Sequence, residues 1–163
     1  MSPVFLSTSF SKSLSLYGER VGAFSLVTAS AEEATRVLSQ LKRIVRTNYS
    51  NPPTHGSQLA AGVLGSPELR AQWDQELGAM RERIKHMRRE LVTQIKQRAP
   101  GADLGFILTQ RGLFSYSGLT KEQVQRLRKE YSIYAIETGR ICVAALNSGN
   151  VKYVAEAIAQ VIQ

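Results

Sequence analysis

Ser9-Phe10-Ser11-Lys12, followed by Arg20 eight residues beyond the lysine, gathers hydroxyls, a primary amine and a guanidinium into one short stretch. Arginine pairs a phosphate with two parallel hydrogen bonds, and a lysine amine can form a Schiff base with a carbonyl compound. The chemistry described is a phosphate cradle with an available nucleophile, set against the plainer reading of a solvated basic loop. Arg140, between Gly139 and a strand-like run, is a second candidate anion-binding group, although a strand-edge arginine usually stands in water. Phe114 precedes it in another strand-like run, where phenylalanine is ordinarily core.

These groups need scaffolding, and hydropathy patterning supplies the elements. Residues 4–8 and 21–28 are apolar and β-branched and read as buried strands flanking the Ser- and Gly-containing loop that carries Lys12. Ser30 with Glu33 forms a capping box, and Ala34, Val37, Leu38, Leu41, Ile44 and Val45 continue at helical spacing towards Tyr49. Pro52, Pro53 and Gly56 impose an extended turning loop, followed by a shorter helix over residues 58–64. Ser66-Pro67 opens one long helix whose apolar stripe steps from Leu69 through Trp73, Met80 and Leu91 to Ile95. A helix of that length spans more than one packing environment, which places a domain junction near Gly78 and gives domains 1–78 and 79–163.

Beyond Gly101, residues 104–108 and 113–116 read as strands joined by a hairpin turn at Gln110-Arg111-Gly112. Thr120 with Gln123 caps a helix reaching Tyr131, residues 133–136 and 141–146 read as strands, and Val151, Val154, Ala155, Ile158 and Ile162 mark a closing helix. The fold class is α/β, without internal repeats or low-complexity tracts.

Composition narrows the function classes. With 43% hydrophobic and 21% charged residues the 163-residue chain is that of an ordinary globular protein, with no apolar run of the roughly 20 residues a bilayer helix needs. The expectation is a cytoplasmic protein with no membrane partner. One cysteine, Cys142, excludes an internal disulfide and reads as a packed small hydrophobe; two histidines, His55 and His86, offer no metal-ligand spacing. The net charge of +8 suits anionic partners of several kinds. The run Arg81, Arg83, Lys85, His86, Arg88, Arg89 raises the alternative of a non-catalytic basic module gripping nucleic acid. Interleaved Glu76, Glu82 and Glu90, and the absence of accompanying aromatics for base stacking, favour a solvated helix face and no nucleic acid.

The segment from Ser9 to Gly22 resembles the cofactor-lysine segment of aspartate and aromatic amino-acid aminotransferases, pyridoxal-phosphate enzymes of fold type I. Two further stretches agree in order: Arg46 to Pro53, and Gly112 to Leu119 leading to Gly139 to Ala144. The resemblance implies the end of a large, mostly parallel-sheet domain, a long interdomain helix and a small α/β domain. It implies that Lys12 carries pyridoxal 5'-phosphate as an aldimine and then shuttles a proton, with Ser9 and Arg20 holding the cofactor phosphate. Arg140 matches the arginine that grips the substrate α-carboxylate, and Phe114 the aromatic residue lining the pocket. Arg46 matches the arginine that reaches the neighbouring subunit's site and pairs with a dicarboxylic substrate's side chain, which implies a homodimer; Asn51 tunes the same loop. Ser11 and Tyr17 receive no role.

The implied reaction exchanges an amino group between an aromatic or dicarboxylic L-amino acid and a 2-oxo acid such as 2-oxoglutarate. The resemblance covers the C-terminal part of the family chain, less than half of it. The family's phosphate loop, ring-stacking aromatic residue and pyridine-pairing Asp lie upstream of the matched part, so the expectation is a fragment with little or no transaminase activity alone.

Overall fold

Two units make up the fold in the computed structural model, which describes residues 3–163: Met1–Leu77 and Gly78–Gln163. In the first, β1 (Val4–Ser9) pairs antiparallel with β2 (Gly22–Val27), with Val4 opposite Val27 and Ser9 opposite Gly22. The pairing needs glycine at position 22, because a Cβ there would collide with the Thr8 carbonyl oxygen. Both strands form where the β-branched runs predict them, but they are not buried. Phe5, Leu6 and Phe24 are at least half exposed, and the ladder's side-chain contact is the tilted pair Phe5 and Phe24, 6.3 Å between ring centroids.

Helix α1 (Ala31–Tyr49) begins where Ser30 accepts the Glu33 N–H, while the Glu33 carboxylate takes the Ala29 N–H. Its apolar stripe is present, yet none of its residues is buried. Helix α2 (His55–Gly65) starts earlier than the sequence pattern places it, with Gly56 and Ala60 turned inward. Helix α3 (Pro67–Arg98) is the long helix expected after Ser66, whose hydroxyl caps the Leu69 N–H; 32 residues at ~1.5 Å each give about 48 Å. It runs through the boundary at Leu77 and Gly78.

The second unit holds the core. Met87, Leu91 and Ile95 of α3 meet Val124 and Leu127 of α4 (Lys121–Tyr131) and Ala155 and Ile158 of α5 (Val151–Ile162). Thr120 and Gln123 form the complete capping box that their spacing announces. The β content is smaller than the sequence suggests. Residues 104–108 are not a strand: Gly105–Thr109 is a 3-10 turn, closed by the Ile107 N–H on Leu104 O and the Gln110 N–H on Ile107 O. The hairpin across Gln110-Arg111-Gly112 is therefore absent; β3 (Phe114–Tyr116) pairs instead with β4 (Arg140–Cys142), antiparallel. Residues 133–136 carry no ladder and follow the left-handed Ser132 that stops α4, while the run after Cys142 turns into a 3-10 segment, Val143–Ala145. Cys142 is exposed rather than packed. Among the described residues no helix is long and apolar enough to cross a membrane.

Leu91, fully buried in this core, should lose about 2–5 kcal/mol of stability on Leu91→Ala, against about 1 kcal/mol for Thr120→Ala at the cap, in urea unfolding. Hydrogen bonds from Lys85 to Glu82, from Arg126 to Glu130, and from Gln125 and then Lys121 to Glu137 hold these carboxyls below the ordinary 4.5. A depressed folded-state pKa stabilises fully above the unfolded value and is lost as the pH falls through the folded one. The urea midpoint should thus stay level down to about pH 5 and decline below 4.5, a modest effect because all three groups are exposed.

Candidate functional site

The first unit builds one site at the mouth of the β1–β2 hairpin. The Phe10 N–H bonds to Val21 O and extends the ladder beyond Ser9 and Gly22, so the residues between them form a closed loop. Lys12 projects from that loop between two anchored neighbours. Ser11 is buried and its N–H donates to Ser9 Oγ at 3.3 Å; the carbonyl of Ser13 accepts the indole N–H of Trp73 at 2.7 Å. Leu14 N–H to Phe10 O and Ser15 N–H to Lys12 O wind the backbone into a turn around the lysine.

The Lys12 amine is exposed and lies 5.5 Å from the centre of the Tyr17 ring, giving a cation–π contact to a residue that the motif leaves without a role. Arg20 adopts φ 52°, a left-handed conformation uncommon outside glycine, and its Nη1 donates to Tyr17 O at 3.1 Å. Behind this segment, Gly56 approaches so closely that a Cβ there would stand 2.7 Å from Glu19 Cβ, and His55 Nδ1 meets Glu19 Oε2 at 2.9 Å. Ser9, Lys12 and Arg20 are thus carried by one hairpin mouth: a hydroxyl free to donate, an amine and a guanidinium. That donor set fits a phosphorylated aldehyde, whose phosphate needs donors and whose carbonyl needs the amine.

Arg46 and Asn51 occupy a separate place at the end of α1. Arg46 donates to the Ser50 hydroxyl, and Ser50, at φ 66° and ψ −66°, is the centre of a γ-turn closed by the Asn51 N–H on Tyr49 O at 2.8 Å. Both side chains are exposed.

The second unit presents Arg140 and Phe114 together. The Arg140 guanidinium carbon lies 4.9 Å from the Phe114 ring centre, across a ladder in which Phe114 faces Cys142 and Tyr116 faces Arg140. Beside them is a cavity of about 230 Å³ lined by Phe114, Ile133, Ile136, Arg140, Cys142 and Asn150 among others. Gly139 sets the approach to Arg140: its φ is 82°, and a Cβ would come within 2.7 Å of Leu119 O. Ser117 fastens the same point, donating both its N–H and its hydroxyl to Gly139 O at 2.9 and 2.6 Å.

The strand carrying Phe114 is inside out. Phe114 and Tyr116 are exposed, whereas Ser115 and Ser117 are buried. Ser115 is met by Arg88, which is only 4% exposed, and burial, then neighbouring Arg111, pulls this guanidinium below its ordinary value. The basic run on α3 is consequently not one solvated face. Arg83 reaches Leu146 O and Ala144 O, Arg88 is buried, and Arg81 and Lys85 both pair with Glu82. Among the described residues no group of three His, Cys, Asp or Glu could hold a metal ion.

The sequence pattern puts Trp73 in a helix stripe, Gly56 in a loop and Arg88 in a basic run, and gives none of them, nor the two buried serines, a place in the site. The alternation Phe-Ser-Tyr-Ser signals a two-faced strand but not which face is inside, and an indole N–H buried in a helix stripe signals an acceptor without naming it.

The chain matches the family model described as aminotransferase class I and II over residues 1–158. It is 60% identical over 158 residues to an aspartate aminotransferase of Pseudomonas aeruginosa, a match covering 97% of this chain and 40% of that protein. It is 51% identical over 160 residues to the aromatic-amino-acid aminotransferase of Escherichia coli, covering 98% and 40%. Among solved structures, an aromatic-amino-acid aminotransferase from Burkholderia pseudomallei covalently bound to pyridoxal phosphate superposes with a TM-score of 0.94 at 64% identity, covering 98% of this chain and 40% of that one. The chain spans about two-fifths of the length of these relatives.

Replacing Gly139 with alanine should cost at least about 1 kcal/mol in urea unfolding, since an L residue is strained at this φ and the methyl meets Leu119 O. Gly18→Ala, where a Cβ meets nothing within 4 Å, should be near neutral in the same measurement.

Proposed function

The chain belongs to the aminotransferase class I and II family and has the α/β fold of the C-terminal part of fold type I, and on that premise we propose that it is the cofactor-lysine and small-domain part of a transaminase. The reaction is exchange of an amino group between an aromatic or dicarboxylic L-amino acid and a 2-oxo acid such as 2-oxoglutarate. Residues 1–78 then belong to a large cofactor-binding domain and 79–163 to a small α/β domain.

The observation that carries this reading is the hairpin mouth, where the end of β1 bears the Ser9 hydroxyl and the loop after it bears the Lys12 amine and the Arg20 guanidinium. Pyridoxal 5'-phosphate, when bound, supplies an aldehyde for condensation with amines and an electron-withdrawing ring. Lys12 Nζ would hold it covalently and, as a free amine, would carry the proton from the substrate α-carbon to the cofactor C4′. Ser9 Oγ and Arg20 hold the phosphate, with Arg20 supplying the charge and Ser9 the directional hydrogen bond. Arg140 pairs the substrate α-carboxylate through its planar fork, and the exposed Phe114 ring beside it lines the pocket and limits water at the guanidinium. Arg46, with Asn51 tuning its loop, pairs the second carboxylate of a dicarboxylic substrate in the neighbouring subunit's site, which makes the working protein a homodimer.

Incubation of the protein with pyridoxal phosphate, borohydride reduction and peptide mapping should place the label on Lys12. Lys12→Ala should remove that label, and Arg20→Ala should raise the pyridoxal phosphate concentration needed for half labelling about tenfold, the loss of a charge-assisted phosphate contact. A label spread over many lysines and unchanged in Lys12→Ala overturns the reading.

A further inference from the structure

Arg88 lies on α3, within a run of basic residues to which the transaminase reading assigns no task, and it is buried without any carboxylate partner. Its Nε and Nη2 both donate to Ser115 Oγ, at 3.3 and 3.2 Å, and Nη2 also donates to Gly112 O at 2.9 Å. One guanidinium therefore grips β3 at Ser115 and the loop before it at Gly112, and Phe114 lies between them. Arg83, one and a half turns earlier on the same helix, takes the other side: Nη1 reaches Leu146 O at 2.8 Å and Nη2 reaches Ala144 O at 3.0 Å. The Ala144 N–H in turn donates to Leu113 O at 3.2 Å, so both arginines bear on the start of β3.

A purely stabilising role is poorly served by this arrangement, because a buried ion costs desolvation that an apolar side chain of similar volume avoids. Placement is served well. Strand register is normally specified by an apolar inner face, and a slip of one residue turns every side chain over. In β3 the apolar residues point outward and the serines inward, so hydrophobic burial gives no help in fixing the register. The bonds from Arg88 to Ser115 supply it, and a lysine, with a single nitrogen, lacks the second bond that Nε makes to Ser115 Oγ beside those of Nη2.

We propose that Arg88 is a positioning residue: through Ser115 and Gly112 it sets the register of β3, and so holds the Phe114 ring against the Arg140 guanidinium in the orientation that receives a carboxylate. The inference rests on the reading of Arg140 as the α-carboxylate site.

The test uses the complete protein that carries these residues, with succinate as the probe, a dicarboxylate without an amine to react. Succinate affinity is measured by calorimetry, and borohydride labelling of Lys12, which lies in the other unit, is followed in parallel. Arg88→Lys and Ser115→Ala are each expected to weaken succinate binding about tenfold while Lys12 labelling stays unchanged, and the double variant to be no worse than the worse single, as for two partners in one interaction. Arg140→Met, which should abolish succinate binding, is the control on the underlying reading: if binding survives it, that reading falls. If Arg140→Met abolishes binding and both Arg88→Lys and Ser115→Ala stay within about twofold of the parent, the positioning role is overturned. Parallel loss of Lys12 labelling and succinate affinity overturns it as well, assigning Arg88 to general stability. Should Arg88→Lys fail to fold, Ser115→Ala alone decides between these outcomes.

Discussion

A guanidinium taken out of water with no carboxylate to meet it must find backbone and hydroxyl acceptors at fixed places, and those acceptors then cannot move. Around Arg88 this requirement governs the second unit. Ser115 has to face α3, so Phe114 and Tyr116 have to face away, and the partner strand has to place Arg140 beside the ring. Ser117 continues the same polar inner face and uses it to fasten Gly139, whose left-handed backbone turns the chain into Arg140. The apolar core of α3, α4 and α5 supports this layer from behind, but the layer itself is ordered by hydrogen bonds.

The hairpin mouth of the first unit solves a similar problem with less burial. Lys12 stays exposed, and its position comes from the neighbours: Ser11 tucked in before it, Ser13 tied by the Trp73 indole after it, and the strand register behind. Fixing the flanking peptides rather than the side chain leaves the amine free to rotate between partners, as the role proposed for it requires.

What could be read from the sequence followed the distance over which the physics acts. Helix ends at Ser30, Ser66 and Thr120 are legible because a cap and its acceptor lie within three residues, and the closing helix is legible because five apolar residues repeat at its own period. Ser9, Lys12 and Arg20 share one hairpin mouth, so their common location follows from order along the chain. The contact of Trp73 with Ser13 spans 60 residues and leaves no local trace. The short strands were the least legible. Residues 104–108 and 133–136 have strand-like composition, but a 3-10 turn holds the first and turn and loop bonds hold the second, and half-buried apolar residues have the same hydropathy in a turn or loop as in a strand. Arg88 was concealed for a different reason: charge runs ordinarily face water, and only the packed structure shows which member turns inward.

Cys142 stands two residues beyond Arg140 on the same strand, exposed, opposite Phe114 and on the wall of the same cavity. It is also the sole cysteine of the chain. Strand alternation puts its sulfur on the face that carries the arginine, about 7 Å further along. The chain thus bears a unique thiol beside Arg140, so one maleimide-linked fluorophore or spin label can be attached there without engineering a handle, and its signal will report the surroundings of the Arg140 and Phe114 pair.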